Sequence, residues 1–151
     1  MSMPNAIDEN RLYVGSRNEY NDLEGDEMDF VLNLSFSCSV SYLNQSSYAH
    51  LPLRDEGHSY RDFEQACDVL WNRYKCFDEE IFVYCEKGHS RSVSVASTTV
   101  ALAEDRTFDT ALSEVRTRRG IEVDPMREVE EYGRRYVKEK EHETRSEGDI
   151  E

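Results

Sequence analysis

The chain has 151 residues, 38% of them hydrophobic and 11% aromatic. This is the size of one ordinary domain, able to bury roughly 70% of its unfolded surface without staples, so wholesale disorder is excluded. Thirty-two acidic residues stand against eighteen basic ones, a net charge of −14, and so negative a surface repels nucleic acid and anionic lipid over the molecule as a whole.

The plain expectation is an acidic, soluble, cytoplasmic monomer. A sharper one is a halophilic protein, whose self-repulsion a salty cytoplasm would screen. The first ten residues hold neither a basic n-region nor an apolar h-region, and no apolar stretch approaches the roughly 20 residues needed to cross a bilayer. Cys38, Cys67, Cys76 and Cys85 show no C-x-x-C spacing and no paired His ligands. That argues against zinc, and no metal or other cofactor is expected. In a reducing compartment the four should be free thiols.

Residues 1–10 are expected to be a flexible lead. Leu12 to Val14, closed by Gly15, reads as a short strand, and the polar stretch from Asn18 to Glu27 as helix or loop. The run from Phe30 to Leu34 suits a buried strand. Ser35 to Ser41 is loop-like, and Tyr48 to Leu53 reads as another strand, ended by Pro52 and polar residues. Ser59 and Asp62 have the spacing of a capping box. Behind them Phe63, Ala66, Cys67, Leu70, Trp71 and Tyr74 recur with helical period.

Ile81 to Tyr84 is a further buried strand, and Cys85 to Ser90 a small polar loop. Ser92 to Ala103 follows as a helix packing Val93, Ala96, Val100 and Ala103. Phe108, Ala111, Leu112 and Val115 mark the next helix, ending near Gly120. Asp124 and Pro125 read as N-cap and first position of a last helix, with Met126, Val129, Tyr132, Gly133, Tyr136 and Val137 as its apolar face. The charged residues from 139 to 151 are expected to fray. Strands with a crossover helix and a later helical cluster imply an α/β domain: a mixed, mostly parallel sheet of four to five strands flanked by helices, spanning residues 11–138.

The segment from Val83 to Ser92 carries the chemistry. A buried strand runs into a short loop, and the loop into a helix. Main-chain amides of Glu86, Lys87, Gly88, His89 and Ser90 can turn inward toward an anion, and the helix N-terminus adds its positive end. Gly88 permits the tight turn. Arg91 offers a planar fork matching two phosphate oxygens. Helix N-termini and cationic neighbours favour the thiolate of a cysteine, which makes Cys85 a nucleophile aimed at phosphorus. Ser92 is placed to donate a hydrogen bond to the departing sulfur, or to cap the helix. The pattern is not the nucleotide-binding G-x-x-x-x-G-K-[ST] loop, because Lys87 precedes a single Gly88.

The sequence Cys85-x-x-Gly88-x-x-Arg91-Ser92 resembles the signature loop of the cysteine-dependent protein tyrosine phosphatases. The opening from Leu12 to Gly15 and the segment from His50 to Asp55 resemble the dual-specificity branch. The likeness runs from about Arg11 to Val137. It implies that Asp55, thirty residues before Cys85, protonates the leaving oxygen; Glu56 and Asp62 are neighbouring candidates. It implies two steps. Cys85 takes the phosphoryl group while Arg91 and the loop amides hold its oxygens. Water activated by Asp55 then hydrolyses the phosphocysteine. Arg91 and the backbone dipoles stand in for a metal.

Two residues depart from the family pattern. Tyr84 stands where a histidine usually precedes the cysteine, and its hydroxyl is a partial substitute for the hydrogen bonds that settle the thiolate. Glu86 puts an anion beside a phosphate site and is expected to point outward. The resemblance favours a phosphatase for phosphotyrosine and for phosphoserine or phosphothreonine, with a phosphoprotein partner and a shallow pocket. A catalytically dead phosphate-binding module competes with it, motivated by Tyr84 and Glu86. So does a phosphatase for a phosphoinositide or an RNA 5′ end, which the charge argues against, since no basic stripe or patch is visible.

Overall fold

The apolar run Ile81–Cys85 forms strand β5, buried along its whole length. The rest of the fold is arranged around it in the computed structural model. The structure describes residues 5–8, 11–22, 28–35, 48–53, 59–86, 90–120 and 127–149, without the side chains of 5–8, 21–22, 127–128 and 143–149. A strand apolar on both faces needs cover on both. Ile81, Val83 and Cys85 face the main core, whereas Phe82 and Tyr84 face a smaller one containing Tyr20, Met28 and Val31.

Among the described residues four further strands join β5 in one sheet: β1 (Asn5–Asp8), β2 (Leu12–Ser16), β3 (Phe30–Asn33) and β4 (Tyr48–His50). Their order is β1-β2-β5-β3-β4. β5 pairs in parallel with β2 and β3, β3 with β4 likewise, and only β1 is antiparallel. The expected mixed, mostly parallel α/β sheet is therefore present. The register sets Ser16 opposite Cys85 and Asn33 opposite Tyr84.

Helix α1 (Arg17–Asp22) follows β2 directly, and α2 (Tyr60–Cys76) carries the chain toward β5. Ser59 caps α2 by accepting from Asp62 N–H, as its spacing suggested. Phe63, Ala66, Cys67 and Leu70 are buried; Trp71 and Tyr74 stack on each other half-exposed, so the core face is narrower than the apolar period implied.

Helix α3 (Arg91–Glu104) is buried from Arg91 to Ala101. Small residues make this central position possible, and their hydroxyls bond back along the helix: Ser97 Oγ donates to Val93 O and Thr98 Oγ1 to Val95 O, both at 2.7 Å. Ala103, expected in the core, is exposed, and Ala101 is buried instead. Helix α4 (Phe108–Arg119) closes on Gly120 at φ +75°, a left-handed cap that favours glycine.

Helix α5 (Arg127–Asp149) runs well past residue 139, where fraying was expected. The first two charged residues there are tied down: Tyr60 Oη and Arg135 Nε donate to Glu139 at 2.8 and 2.9 Å, and Lys140 pairs with Asp68 at 3.1 Å. The flexible lead expected over residues 1–10 likewise contains β1, whose backbone ladder with β2 orders residues that show no apolar alternation. The expected cap at Asp124 and Pro125, together with Met126, lies outside the described residues. Among the described residues no helix is long and apolar enough to cross a membrane.

Gly133 sits where α5 crosses Phe108. A Cβ there would lie 2.2 Å from the Phe108 ring. Alanine would favour the helix by about 0.5–1 kcal/mol, but forcing a methyl into a filled core costs about 1–3 kcal/mol. The clash should win. Gly133→Ala is expected to lower the thermal midpoint by about 2–8 °C, read from a circular dichroism melt.

Candidate active site

Cys85 ends β5 with its side chain on the main-core face, 1% exposed. Its Sγ lies 3.2 Å from Ser92 Oγ. The strand's end and the helix's first turn therefore converge on one sulfur, and the positive end of the α3 dipole points toward it. Ser90, not Ser92, holds the N-cap position: its carbonyl accepts from Ser94 N–H at 2.8 Å, although its side chain makes no capping bond. Ser92 is thereby left to face the sulfur.

Arg91 is the first residue of α3 and is 6% exposed. Its Nη1 donates to Leu53 O at 2.6 Å and to Leu34 O at 3.4 Å. Those carbonyls are themselves set by the main chain. Leu34 N–H donates to Tyr84 O at 2.8 Å, and Leu53 N–H to Leu34 O at 3.1 Å. Arg91 thus reads the ends of β3 and of the segment after β4, two residues short of Asp55. Asp55 and Glu56, with Lys87, Gly88 and His89, lie outside the described residues. Asp62 is exposed in the first turn of α2.

Tyr84 cannot serve Cys85 through its hydroxyl, because alternation along β5 sends the two side chains to opposite faces. The Tyr84 ring stacks on Tyr20 with centroids 4.7 Å apart, and its Oη meets Tyr48 Oη at 3.2 Å. Burial, then the Tyr48 hydrogen bond, raises its phenol well above the ordinary range. Glu86 points outward, as expected, with its carboxylate 3.7 Å from Arg17 Nη1.

Several contributors were not foreseen. Asn33, fully buried, donates from Nδ2 to Tyr48 Oη at 2.8 Å, and its Oδ1 accepts from Ser35 N–H at 2.8 Å and Ser35 Oγ at 2.5 Å. His50 Nε2 donates to Ser35 O at 2.8 Å. This network fixes the turn that presents Leu34 O to Arg91. Ser16 and Glu19 form a reciprocal capping box on α1; its S-x-x-E spacing was the available signal. Cys67 is a core thiol pushed up by burial.

No group of three His, Cys, Asp or Glu that could hold a metal occurs among the described residues. Two surface depressions flank α4 away from Cys85, and their charges pair across them, Arg106 with Glu114 and Arg134 with Asp109.

No protein-family model and no curated protein sequence matches the chain. Solved structures do. Human DUSP28 is 16% identical, with a TM-score of 0.76 over 93% of this chain and 97% of that one. Tk-PTP in its active form is 19% identical, with a TM-score of 0.70 over 89% and 96%. A mouse dual specificity phosphatase complexed with zinc tungstate is 15% identical, with a TM-score of 0.67 over 88% and 86%. At these identities the likeness is one of architecture: the chain has the fold seen in these dual-specificity and tyrosine phosphatase structures.

Proposed function

We propose that this protein is a cysteine-dependent phosphatase acting on phosphotyrosine and on phosphoserine or phosphothreonine in proteins. The observation that carries the reading is the contact of the Cys85 sulfur with the Ser92 hydroxyl at the start of α3, a helix whose first residue is the buried Arg91. The fold shared with phosphatases supports it.

In the first step Cys85 Sγ attacks phosphorus. An S–P bond forms, the ester P–O bond breaks, and the leaving oxygen takes a proton from Asp55. Arg91 and the amides of residues 86–90 hold the remaining oxygens, where negative charge persists through the transition state. In the second step water attacks phosphorus, Asp55 accepts its proton, and the S–P bond breaks. Ser92 O–H supports the departing sulfur. The net charge of −14 favours a peptide-borne phosphate over a lipid headgroup or RNA end, and a cytoplasmic setting fits this substrate.

The direct test compares a phosphotyrosine peptide, a phosphoserine peptide, an inositol phosphate and a 5′-triphosphate RNA. Turnover of the two peptides is expected. Binding without turnover between pH 5 and 8 would instead establish a phosphate-binding module. Cys85→Ser should abolish turnover yet keep phosphopeptide affinity; retained activity ends the proposal. Ser92→Ala should leave a rapid first turnover but slow the steady state by about 10- to 100-fold, the scale of a hydrogen bond to a charged group. In Asp55→Asn the leaving group decides the loss, read as kcat/KM for two esters, because the later hydrolysis of the phosphocysteine slows equally for both. It is about 10²- to 10⁴-fold for an alkyl phosphate and much smaller for 4-nitrophenyl phosphate, whose phenoxide leaves unprotonated.

A further inference from the structure

Glu86 puts a carboxylate directly after the nucleophile, in a loop that must receive a dianion. Its placement is not left to solvent. Arg17 N–H donates to Glu86 O at 3.2 Å, and the Arg17 guanidinium lies 3.7 Å from the Glu86 carboxylate. The same residue therefore holds both the backbone and the charge of Glu86.

Arg17 is itself held from behind. Ser16, the residue before it, pairs in register with Cys85. Ser16 N–H donates to Glu19 Oε1 at 3.3 Å, and Glu19 N–H donates to Ser16 Oγ at 3.2 Å. Arg119 clamps Glu19 with two hydrogen bonds, at 2.6 and 3.0 Å, and each side chain is 10% exposed. A well-buried ion pair thus fixes the first turn of α1, and that turn aims Arg17 at the loop.

We infer that Arg17 is a positioning residue for the phosphate site, drawing the Glu86 carboxylate out of the loop and offsetting its charge. The inference rests on the phosphatase reading of that loop. Stability is not the issue, because a pair this exposed contributes little to folding. What matters is the direction in which a negative charge faces. Released from Arg17, Glu86 would oppose the incoming phosphoryl group over a distance short enough for incomplete screening.

A double-variant cycle tests this on the full chain with 4-nitrophenyl phosphate as substrate and inorganic phosphate as competitor. Arg17→Met should raise KM and the phosphate inhibition constant by about three- to tenfold, the scale of one partly screened charge, with kcat changed less than about twofold. The melting midpoint should stay put. Adding Glu86→Gln to Arg17→Met should restore both constants to near wild-type values, and 1 M NaCl should shrink the single variant's defect.

An unimpaired Arg17→Met protein overturns the inference. So does a double variant as impaired as the single one, since Arg17 would then act on substrate or backbone rather than through Glu86. If the wild-type chain neither hydrolyses the ester nor binds phosphate, the phosphatase reading fails and this inference falls with it. If wild-type turnover is present, a negative cycle counts against the inference alone.

Discussion

A guanidinium is costly to bury unless its N–H groups find acceptors. Arg91 meets that condition at Nη1, which donates to two main-chain carbonyls from segments that are distant in sequence. Those carbonyls are in turn placed by bonds to Tyr84 O and Leu34 O. The start of α3, the ends of β3 and β5, and the segment after β4 are therefore one unit. Moving any of them alone strands a buried donor or acceptor. The arrangement around Arg91 depends on these hydrogen bonds more than on any one apolar contact.

Alternation along β5 then divides labour between neighbouring residues. Cys85 turns toward α3 and meets a hydroxyl; Tyr84 turns the other way and joins an aromatic layer with Tyr20, Tyr48 and Phe82. The residue before Cys85 thus supports the sheet's second face. Tyr84 keeps the site's foundation packed, while Asn33 ties that packing to the turn that receives Arg91.

Much of this was legible because it is local or periodic. The Cys85 to Ser92 signature lies within eight consecutive residues, and the cap at Ser59 and the apolar face of α4 repeat at helical spacing. What escaped reading depends on distant partners. Glu19 and Arg119 are a hundred residues apart, and neither carries a mark of the other. β1, Asn-Ala-Ile-Asp, has no apolar alternation and pairs along β2 as a strand all the same. The tail of α5 looks like a solvated charge run, yet Glu139 and Lys140 find Tyr60 and Asp68 on α2. Asn33 read only as one residue of a buried strand, because its role depends on the turn that follows and on a hydroxyl from β4.

The edges of the sheet have a consequence for behaviour at high concentration. β1 has four residues and a register irregularity between Ala6 and Asp8, and β4 has only three residues. Neither is a long, flat ladder on which a foreign strand could template. The strand with the richest apolar run, β5, lies in the middle with both sides occupied. Strand addition at β5 would first require the sheet to be prised open, so that apolar run is shielded for as long as its two neighbours stay paired.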